Sequence, residues 1–403
     1  MTRLYLYDDE RARTFEPFAL TRPVCELRAG TDLIRERWEH VTRSRAYGFI
    51  GATHLRDFEE LDAAQAVTDS TVPPGSLIAN SRFIVSLGSR LDDAATAFEC
   101  DGIVCALRVR KSMDITSLLD GKIALESLGA DSASAAPIAG RWLGEVWDLM
   151  RDLQTQLNED IPLLGSELSG AAIENATIIG RNPVYCETGA QIEPFVVLDA
   201  TDGPILIRRG ATIASFSRIF GPCYIGAGSQ VLGDSVRGCS IGDVCRVRGE
   251  ISSTVMLGHS NKSHAGFVGN SYLGRWVNLG AGTTTSNLKN TYGNVAMWTP
   301  TGMRDTAMQF LGSLIGDHVK LGIGSMLTTG CVIGAGANVF GAQVTPKHIP
   351  PFAWGSGEPW ERNDLDKFHE VARRMMERRH IPLGDKARAQ LAEAFRKSGE
   401  EDA

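Results

Sequence analysis

The stretch at residues 259–292, HSNKSHAGFVGNSYLGRWVNLGAGTTTSNLKNTY, brings proton-transferring and hydrogen-bonding side chains together among small residues. A histidine imidazole, with an unperturbed pKa of about 6.5, can accept a proton at neutral pH. Asparagine side chains can both donate and accept hydrogen bonds. Because the stretch has almost no helix signal, we predict polar chemistry on irregular chain that a rigid scaffold must position.

The scaffold is indicated by aliphatic residues that recur every six positions on both sides of this stretch. The two longest series are Ile207, Ile213, Ile219, Ile225 and Val231, and Ile315, Leu321, Leu327, Ile333 and Val339. A period of six fits neither an amphipathic helix nor a simple strand alternation. It predicts a coil of short strands with a corner every six residues and a rise of about 4.8 Å per three-sided turn. We therefore predict a parallel β-helix of about nine or ten turns over residues 170–345, with a Gly-rich β-sandwich as the weaker alternative.

The six-residue phase falters between about residues 249 and 272, and again between about 285 and 313. A solenoid fills its own core with side chains, so its ligands must bind on the outside. We expect loops to leave the scaffold at these two interruptions and to carry the site.

Bulk properties exclude several classes of protein. The 403 residues carry a net charge of −7, which argues against a general nucleic-acid binder, because such proteins need a basic surface. No apolar run approaches the roughly 20 residues of a membrane span. The N-terminal MTRLYLYDDE does not read as a signal peptide, and the eight cysteines show no CxxC pair. We expect a cytoplasmic protein with reduced cysteines.

Two segments, SNKSHAGFVG and SYLGRWVNLGAGTTTSNLKNTYG, resemble an alternative branch of the bifunctional UDP-N-acetylglucosamine diphosphorylase/glucosamine-1-phosphate N-acetyltransferase family. The resemblance extends over nearly the whole chain. It implies a left-handed parallel β-helix of hexapeptide repeats that uses acetyl-CoA as co-substrate. It also implies a homotrimer in which each site lies between two chains.

The resemblance assigns roles to individual residues of this sequence. His264 falls on the general base that takes a proton from the acceptor amine, and Glu250 on the carboxylate that supports it. Asn278 falls on an amide that contacts the sugar or the acyl group. Ala281 falls on a position whose main chain lies near the thioester.

Further positions complete the implied substrate set. Lys262 belongs to it, and Lys289 is matched to the acceptor phosphate. Phe267 stands where the bifunctional enzyme has a tyrosine, and Ser252 where it has a phosphate-binding lysine, so a changed acceptor is expected. Lys347, in VTPKHIPPFAWGSGEP, is matched to a CoA phosphate.

A metal site is the alternative interpretation of the histidines. His259 and His264 are five residues apart, which is similar to a zinc pair in hydratases built on a β-helix. A catalytic zinc needs three protein ligands, and no histidine lies between His54 and His259 to supply the third. We assign no metal here and interpret His259 as structural or close to the substrate.

Residues 1–165 alternate strand-like segments, such as LYLY and GIVCALRV, with helix-like ones, such as TDLIRERWEH. This pattern predicts an α/β Rossmann-like domain with a largely parallel sheet. The segment PFALTRPVCELRAGTDLI resembles the start of sugar nucleotidyltransferases, which implies UTP or another NTP, a sugar 1-phosphate and Mg²⁺. The candidate nucleotide and sugar phosphate residues are Asp8, Arg11, Arg22, Arg28, Asn80 and Arg82.

This domain departs from the nucleotidyltransferase pattern. DDERARTFE replaces the Gly-rich loop and contains no glycine, and no metal-holding aspartate is evident in LIANSRF. A non-catalytic domain that binds a sugar nucleotide is therefore an open alternative.

We divide the chain into a nucleotidyltransferase-like domain (1–165), a β-helix acyltransferase domain (166–355) and a C-terminal helical tail (356–403). We expect the tail to cap the open end of the solenoid, although its arginine pairs, Arg373–Arg374 and Arg378–Arg379, could instead meet CoA phosphates.

The predicted function is N-acetylation of an amino sugar phosphate similar to glucosamine 1-phosphate, together with uridylyl transfer to a sugar 1-phosphate. The first alternative is an acyltransferase with a non-catalytic N-terminal domain. The second is a β-helix scaffold without enzymatic activity.

Overall fold

The computed structural model describes residues 3–128 and 135–400. The chain packs as two compact units: residues 1–146 together with 384–403, and residues 147–383. These limits differ from the predicted boundaries at residues 165 and 355. The helices are α1 (Ile34–Thr42), α2 (Asp148–Arg151), α3 (Leu153–Glu167), α4 (Leu365–Glu377) and α5 (Asp385–Glu400). Helices α2 and α3 belong to the second unit, and the last helix, α5, belongs to the first.

The first unit contains a six-stranded sheet, in the spatial order Ala135–Pro137, Ala97–Cys100, Ile103–Arg108, Leu77–Asn80, Leu4–Tyr7 and Ala46–Ile50. Its strand pairs are parallel except where Ile103–Arg108 meets its two neighbours, so the sheet is mixed. The two-stranded pairs are Met113–Asp114 with Thr71–Val72, Gly140–Trp142 with Phe83–Val85, and Arg28–Ala29 with Asp32–Leu33. Short 3₁₀ helices are Ala12–Thr14, Val24–Glu26, Thr53–Leu55, Ile115–Leu118 and Leu125–Leu128. The α/β prediction is confirmed.

The second unit is a parallel β-solenoid with three faces. The first face stacks Ala176–Gly180, Val196–Ala200, Ser217–Phe220, Asp234–Arg237, Glu250–Ser252 and Phe267–Gly269. The second stacks Val184–Cys186, Ile205–Ile207, Cys223–Ile225, Ser240–Ile241, Val255–Gly258, Tyr272–Arg275, Leu314–Ile315, Val332–Ile333 and His348–Ile349. The third stacks Gln191–Ile192, Thr212–Ile213, Gln230–Val231, Arg246–Val247, Asn261–Lys262, Asn278–Leu279, Lys320–Leu321, Asn338–Val339 and Ala353–Gly355, and Glu361–Arg362 adds an antiparallel edge. This architecture is consistent with the implied left-handed β-helix.

The six-residue repeat marks the solenoid core, as predicted. All ten residues of the two long series are buried, with at most 4% of any side chain exposed. Each stacks on its equivalent one turn away, as Ile207 does on Ile225. Burial of a full aliphatic side chain contributes about 1.5–3 kcal/mol, so the column of aliphatic residues stabilises the coil along its length.

The two predicted interruptions have different outcomes. The solenoid continues without a break through residues 249–272, because only the corner lengths change. The register partners Ile241, Met256 and Leu273 are 15 and 17 residues apart instead of 18, which hides the period without ending the stack. The second interruption does leave the scaffold, and it forms the hairpin Ala296–Thr299 with Gly302–Asp305. Beside it, Thr284–Thr285 pairs with Met326–Leu327.

Helix α4 lies along the third face, so the prediction that this part of the tail caps the solenoid end is wrong. Its buried residues, Phe368, His369, Ala372 and Met376, form one stripe, as expected for an amphipathic helix on an apolar surface. The Phe368 ring packs on Phe352 and on His318 of the solenoid. Asp364 caps the helix by accepting a hydrogen bond from the main-chain N–H of Lys367 at 2.9 Å. The second helix of the tail, α5, packs on the 3₁₀ helix Thr53–Leu55 of the first unit.

No helix in the described part of the chain is both long and apolar enough to cross a membrane. All eight cysteines are free thiols, and all but Cys100 are buried.

Candidate active site

The loop that carries His264 runs from the third-face strand Asn261–Lys262 to the first-face strand Phe267–Gly269. Gly266 has φ of +130°, and a Cβ there would lie 2.2 Å from the carbonyl oxygen of Thr283 in the next turn. Only glycine therefore fits this corner. The Lys262 ammonium is buried beneath the loop and donates to the carbonyls of His264 and Ala265, which fixes the path of the main chain.

The His264 side chain is exposed, and no hydrogen-bond or ion-pair partner approaches it among the described residues. Glu250 begins the first-face strand one turn away, with its Cα in register with Phe267. No hydrogen bond or ion pair joins Glu250 to His264 in the described part of the chain, and Glu250 is exposed. The predicted carboxylate–imidazole contact is therefore not made in this structure, although the two residues lie in neighbouring turns.

A ladder of polar residues runs along the third face beside His264. Arg246, Asn261, Asn278 and Lys320 are register partners in successive turns, each one position before an inward-facing residue. Asn261 Nδ2 donates to Asn278 Oδ1 at 2.8 Å. Asn278 Nδ2 has no acceptor among the described residues, so it is available to a ligand carbonyl or hydroxyl.

A cleft of about 470 Å³ lies between this ladder and the end of α4; we call it the His264 cleft. Its solenoid wall is formed by Arg246, Asn261, Ser263, His264, Asn278 and Lys320. Its other wall is formed by Arg374, Met375, Arg378 and Arg379. The volume is in the range of small-molecule sites.

The His264 cleft is strongly cationic. Burial lowers the pKa of Arg379, and the charges of Arg246 and Arg378 lower it further. Burial also lowers the pKa of Lys320 to about 7, while its ammonium donates to the carbonyls of Trp276 and His318 at 2.7 and 2.8 Å. The clustered arginines favour an anionic ligand.

The remaining predicted residues of the acyl-transfer site fall into two groups. Ala281 lies one turn beyond the His264 loop, where Gly282 N–H donates to the carbonyl of Ala265 at 2.9 Å. Phe267 is half-buried on the first face next to Glu250. These two predictions agree with a position near His264.

Lys289 and Lys347 lie together at a different corner, between the first and second faces. Lys289 donates to the carbonyl of Asn294 at 2.9 Å, and Lys347 donates to the carbonyls of Thr329 and Ala296. Burial lowers the pKa of Lys347, and the charge of Lys289 adds to that effect. Neither lysine lines the His264 cleft within one chain.

His259 is buried at the corner between the second-face strand Val255–Gly258 and the third-face strand Asn261–Lys262. Its ring packs on Trp276 with centroids 4.6 Å apart, and Arg275 Nη1 lies 3.3 Å from His259 Nδ1. This arrangement supports the structural interpretation of His259.

In the first unit, Asp8 follows strand Leu4–Tyr7, and Asn80 is the last residue of the neighbouring parallel strand Leu77–Asn80, in register with Tyr7. Asp8 is buried, and Asp8 Oδ2 accepts the Val24 N–H at 3.0 Å. Burial raises the pKa of Asp8 to about 6. Asp8 Oδ1 has no hydrogen-bond partner among the described residues.

The predicted cations of this unit are already bound by the protein. Arg22 pairs with Glu60 at 2.9 Å, Arg11 pairs with Glu145, and Arg28 donates to the carbonyl of Thr31. Arg82 binds both carboxylate oxygens of Asp9, which also accepts from Asn80 at 2.9 Å. The side-chain contacts of Asp9 and Arg82 depress the pKa of Asp9, despite the opposing effect of burial.

Sequence reasoning missed Asp9, Arg246 and Lys320. A usable signal existed for the last two, because each stands one position before an inward aliphatic, as Asn261 and Asn278 do one position before their own inward residues. Asp9 gave no such signal, since its partner Arg82 is 73 residues away in the chain.

Comparisons with known proteins support the resemblance. Residues 4–168 match the model of a family described as sugar nucleotidyl transferase. The bifunctional protein GlmU of Desulfitobacterium hafniense is 32% identical over 222 residues, which cover 47% of this chain and 45% of the relative. A bifunctional sugar-1-phosphate nucleotidylyltransferase/acetyltransferase of Sulfurisphaera tokodaii is 30% identical over 100 residues, which cover 25% of each protein. The chain thus spans less than half the length of either relative.

Among solved structures, a UDP-N-acetylglucosamine acyltransferase from Campylobacter jejuni matches 51% of this chain and 94% of its own, with 14% identity and a TM-score of 0.20. The family match and the curated relatives confirm the predicted resemblance to a GlmU-like family.

Proposed function

We propose that this relative of the bifunctional GlmU proteins transfers an acetyl group from acetyl-CoA to the amine of an amino sugar phosphate in the His264 cleft. One observation carries the proposal: an exposed imidazole without a protein partner lines a cationic cleft beside a free amide donor. A general base must be free to reach the proton that it removes. His264 meets that condition.

In the proposed step, the acceptor amine nitrogen bonds to the thioester carbonyl carbon while His264 takes one proton from that nitrogen. The carbon–sulfur bond then breaks, and the CoA sulfur leaves with the electron pair. His264 returns the proton to the sulfur, so the products are an amide and free CoA thiol. Positioned bases of this type contribute roughly 10²–10⁴-fold to the rate.

Other residues orient the reactants. Asn278 Nδ2 is free to donate to the acyl oxygen or to a sugar hydroxyl, because the side-chain oxygen of Asn278 is occupied by Asn261. Lys262 holds the loop of His264 from below. We give Lys262 a positioning role rather than contact with substrate, since its ammonium is committed to main-chain carbonyls.

For the first unit we propose nucleotidyl transfer from UTP or a related NTP to a sugar 1-phosphate, supported by the family match over residues 4–168. Mg²⁺ would neutralise phosphate charge in such a transfer. Asp8 Oδ1 is an oxygen that fits Mg²⁺, because that atom has no hydrogen-bond partner in the part of the chain that the structure describes. Mg²⁺ sites commonly use one or two carboxylates together with substrate phosphates.

The state of the arginines favours a second candidate, a domain that binds a sugar nucleotide without turnover. Arg22 and Arg82 both face carboxylates of the protein instead of open space. A catalytic domain would need cations that can reach the phosphates of its substrate.

The predicted homotrimer remains part of the proposal. Lys289 and Lys347 lie at a corner of the solenoid other than that of His264, so they can serve a site only if a second copy brings that corner to the cleft. The proposal therefore expects a trimer by light scattering of the full chain.

The acyl-transfer proposal is tested by release of free thiol from acetyl-CoA with a panel of amino sugar phosphates. The His264→Ala variant should lose roughly 10²–10⁴-fold in kcat/KM with every acceptor that the wild type uses. Its thermal midpoint should stay unchanged, because the imidazole has no partner to lose. Removal of the His259 side chain provides the contrast. That side chain is buried, so its removal should lower the thermal midpoint.

Equal thiol release by the wild type and His264→Ala would refute the acyl-transfer proposal and support the alternative of a scaffold without enzymatic activity. The first unit is tested by pyrophosphate release from UTP, a sugar 1-phosphate and Mg²⁺. The full chain must be used, because α5 packs within this unit. Nucleotide binding without pyrophosphate release would select the binding-only domain.

A further inference from the structure

We propose that Arg246, Arg378 and Arg379 form a phosphate subsite at the α4 end of the His264 cleft. The three guanidinium groups come from two elements that are far apart in the chain. Arg246 projects from the third face of the solenoid, and the other two end helix α4. All three line the same cavity as His264.

The placement of α4 creates the subsite. The helix lies along the third face because Phe368 packs on Phe352 and His318. The helix ends at Glu377, Arg378 is its C-cap residue, and His380 then turns the chain with φ of +59°. The last turn of the helix is therefore held opposite Arg246, and its arginines face the polar ladder.

These three arginines have no acidic partner. No carboxylate of the described residues lies within ion-pair distance of Arg246, Arg378 or Arg379, and Arg379 Nε is buried without an acceptor. The acidic residues of the same helix are used elsewhere: Glu370 and Glu377 pair with Arg373, and Glu370 also pairs with Arg374.

Like charges without a counter-ion are unfavourable in a partly buried site. The lowered pKa of Arg379, caused first by burial and then by Arg246 and Arg378, is consistent with that cost. Orientation of the arginines at the carboxyl end of α4 offsets part of it through the helix dipole. A bound anion would offset the rest of this electrostatic cost.

The chemistry of the group points to phosphate. Guanidinium forks bind phosphate oxygens through paired N–H donors, and three of them match a group with two negative charges. This inference rests on the proposed function for the source of the phosphate, which is either the acceptor sugar or CoA. The binding of phosphate itself does not depend on acetyl transfer.

The first test is a calorimetric titration of the full chain with inorganic phosphate. Arg246→Gln and Arg379→Gln should each weaken binding about 10-fold or more, because a charge-assisted contact contributes about 1.5–3 kcal/mol. Arg373→Gln is the matched control: it removes one arginine from the same helix, but from outside the cleft. It should bind phosphate as the wild type does.

Kinetics then identify the source. If the acceptor supplies the phosphate, Arg379→Gln raises KM for glucosamine 1-phosphate about 10-fold, leaves KM for acetyl-CoA unchanged, and has no effect on unphosphorylated glucosamine. If CoA supplies the phosphate, the KM for acetyl-CoA rises instead. The KM for 3′-dephospho-acetyl-CoA is then unchanged by the substitution. Either pattern supports the subsite.

Phosphate affinity that is equal in wild type, Arg246→Gln and Arg379→Gln, or absent from the wild type, overturns the proposal. Arg379→Lys is the control for misfolding of Arg379→Gln. It keeps the positive charge and should therefore retain more phosphate affinity than Arg379→Gln. Absence of acetyl transfer combined with arginine-dependent phosphate binding would refute the proposed function and leave the subsite intact.

Discussion

Two arginines of the first unit, Arg22 and Arg82, differ in their partners from the arginines that follow helix α4 in the second unit. In the first unit, Arg22 is bound by Glu60 and Arg82 by Asp9, with little of either pair exposed. In the His264 cleft, Arg378 and Arg379 face Arg246 without any carboxylate among the described residues. The first unit uses its cations to hold its own fold, whereas the cleft leaves them for a ligand.

The difference shows that a cation in a motif is not by itself a binding residue. Arg22 matches a nucleotidyltransferase motif, yet its partner lies 38 residues along the chain and close to it in the fold. Arg378 and Arg379 match no motif, and no carboxylate of the described residues lies within ion-pair distance of them. The availability of a charge depends on its neighbours in space, and those neighbours are brought by packing.

The largest expected effect comes from removing a partner in the first unit. Asp9→Ala leaves Arg82 and Asn80 without their shared acceptor, and we expect a loss of about 3 kcal/mol in the free energy of unfolding. Hydrogen exchange of strands Leu4–Tyr7 and Leu77–Asn80 would report it locally. Asp93→Ala, which removes an exposed partner of Arg108, should have no measurable effect. Equal effects of the two substitutions would contradict the comparison.

Asp8 resembles the cleft, because burial raises its pKa to about 6, against the opposing charge of Arg13, and no cation of the described residues lies within ion-pair distance of its carboxylate. The folded state then binds more protons than the unfolded state between about pH 4 and 6, so stability falls as pH rises through that window. We expect a cost of about 3 kcal/mol at pH 7, which Asp8→Asn removes.

The measurement for Asp8 is urea unfolding at pH 5 and pH 7. The stability advantage of Asp8→Asn over the wild type should shrink by about 1 kcal/mol at the lower pH. An advantage that does not change with pH would show that Asp8 has an ordinary pKa.

Lys262 is a cation beside the cleft whose ammonium is bound by main-chain carbonyls. Lys262→Met should remove the lysine donor from the carbonyls of His264 and Ala265, of which Ala265 keeps the Gly282 N–H, and cost about 1–2 kcal/mol of stability. The loop would then hold His264 less firmly. We expect kcat for acetyl transfer to fall about 10-fold while KM for acetyl-CoA changes little, as measured by thiol release. A change in KM alone would instead indicate that Lys262 contacts the substrate.

The smallest expected effect is on stability at the proposed phosphate subsite. Arg379→Gln should leave the unfolding free energy unchanged or raise it by less than about 1 kcal/mol, since it relieves repulsion from Arg246 and Arg378. The control Arg373→Gln should lower stability slightly, because Arg373 is paired with Glu370 and Glu377. A thermal melt without phosphate would compare them. Clear destabilisation by Arg379→Gln would show that the protein already supplies a partner.

The solenoid was the most predictable part of the fold. Residues such as Ile207 and Ile225 contact their equivalents in adjacent turns, so the sequence repeats its own packing rule. The prediction failed at residues 249–272, where shorter corners changed the period but not the stacking. The length of a corner depends on single residues such as Gly266. A search for aliphatic residues at a fixed spacing does not detect such a change in length.

The site was predictable in part. His264, Lys262 and Asn278 were identified from motifs that lie within one or two turns of the coil, and the structure does bring them together. Lys289 was assigned to the same site, but the second interruption carries it to another corner. Arg246 was not placed at the site, and Arg379 was considered only as an alternative contact to CoA phosphates, because the two residues meet only when α4 packs against the third face.

The sequence by itself determined the repeat, the inward aliphatic column and the local loop of His264, because each depends on residues at most one turn apart. Only the tertiary structure decided which charges are free. An arginine is neutralised by whatever carboxylate packing brings near it, and for Arg82 and Arg379 that outcome depends on elements far away in the chain.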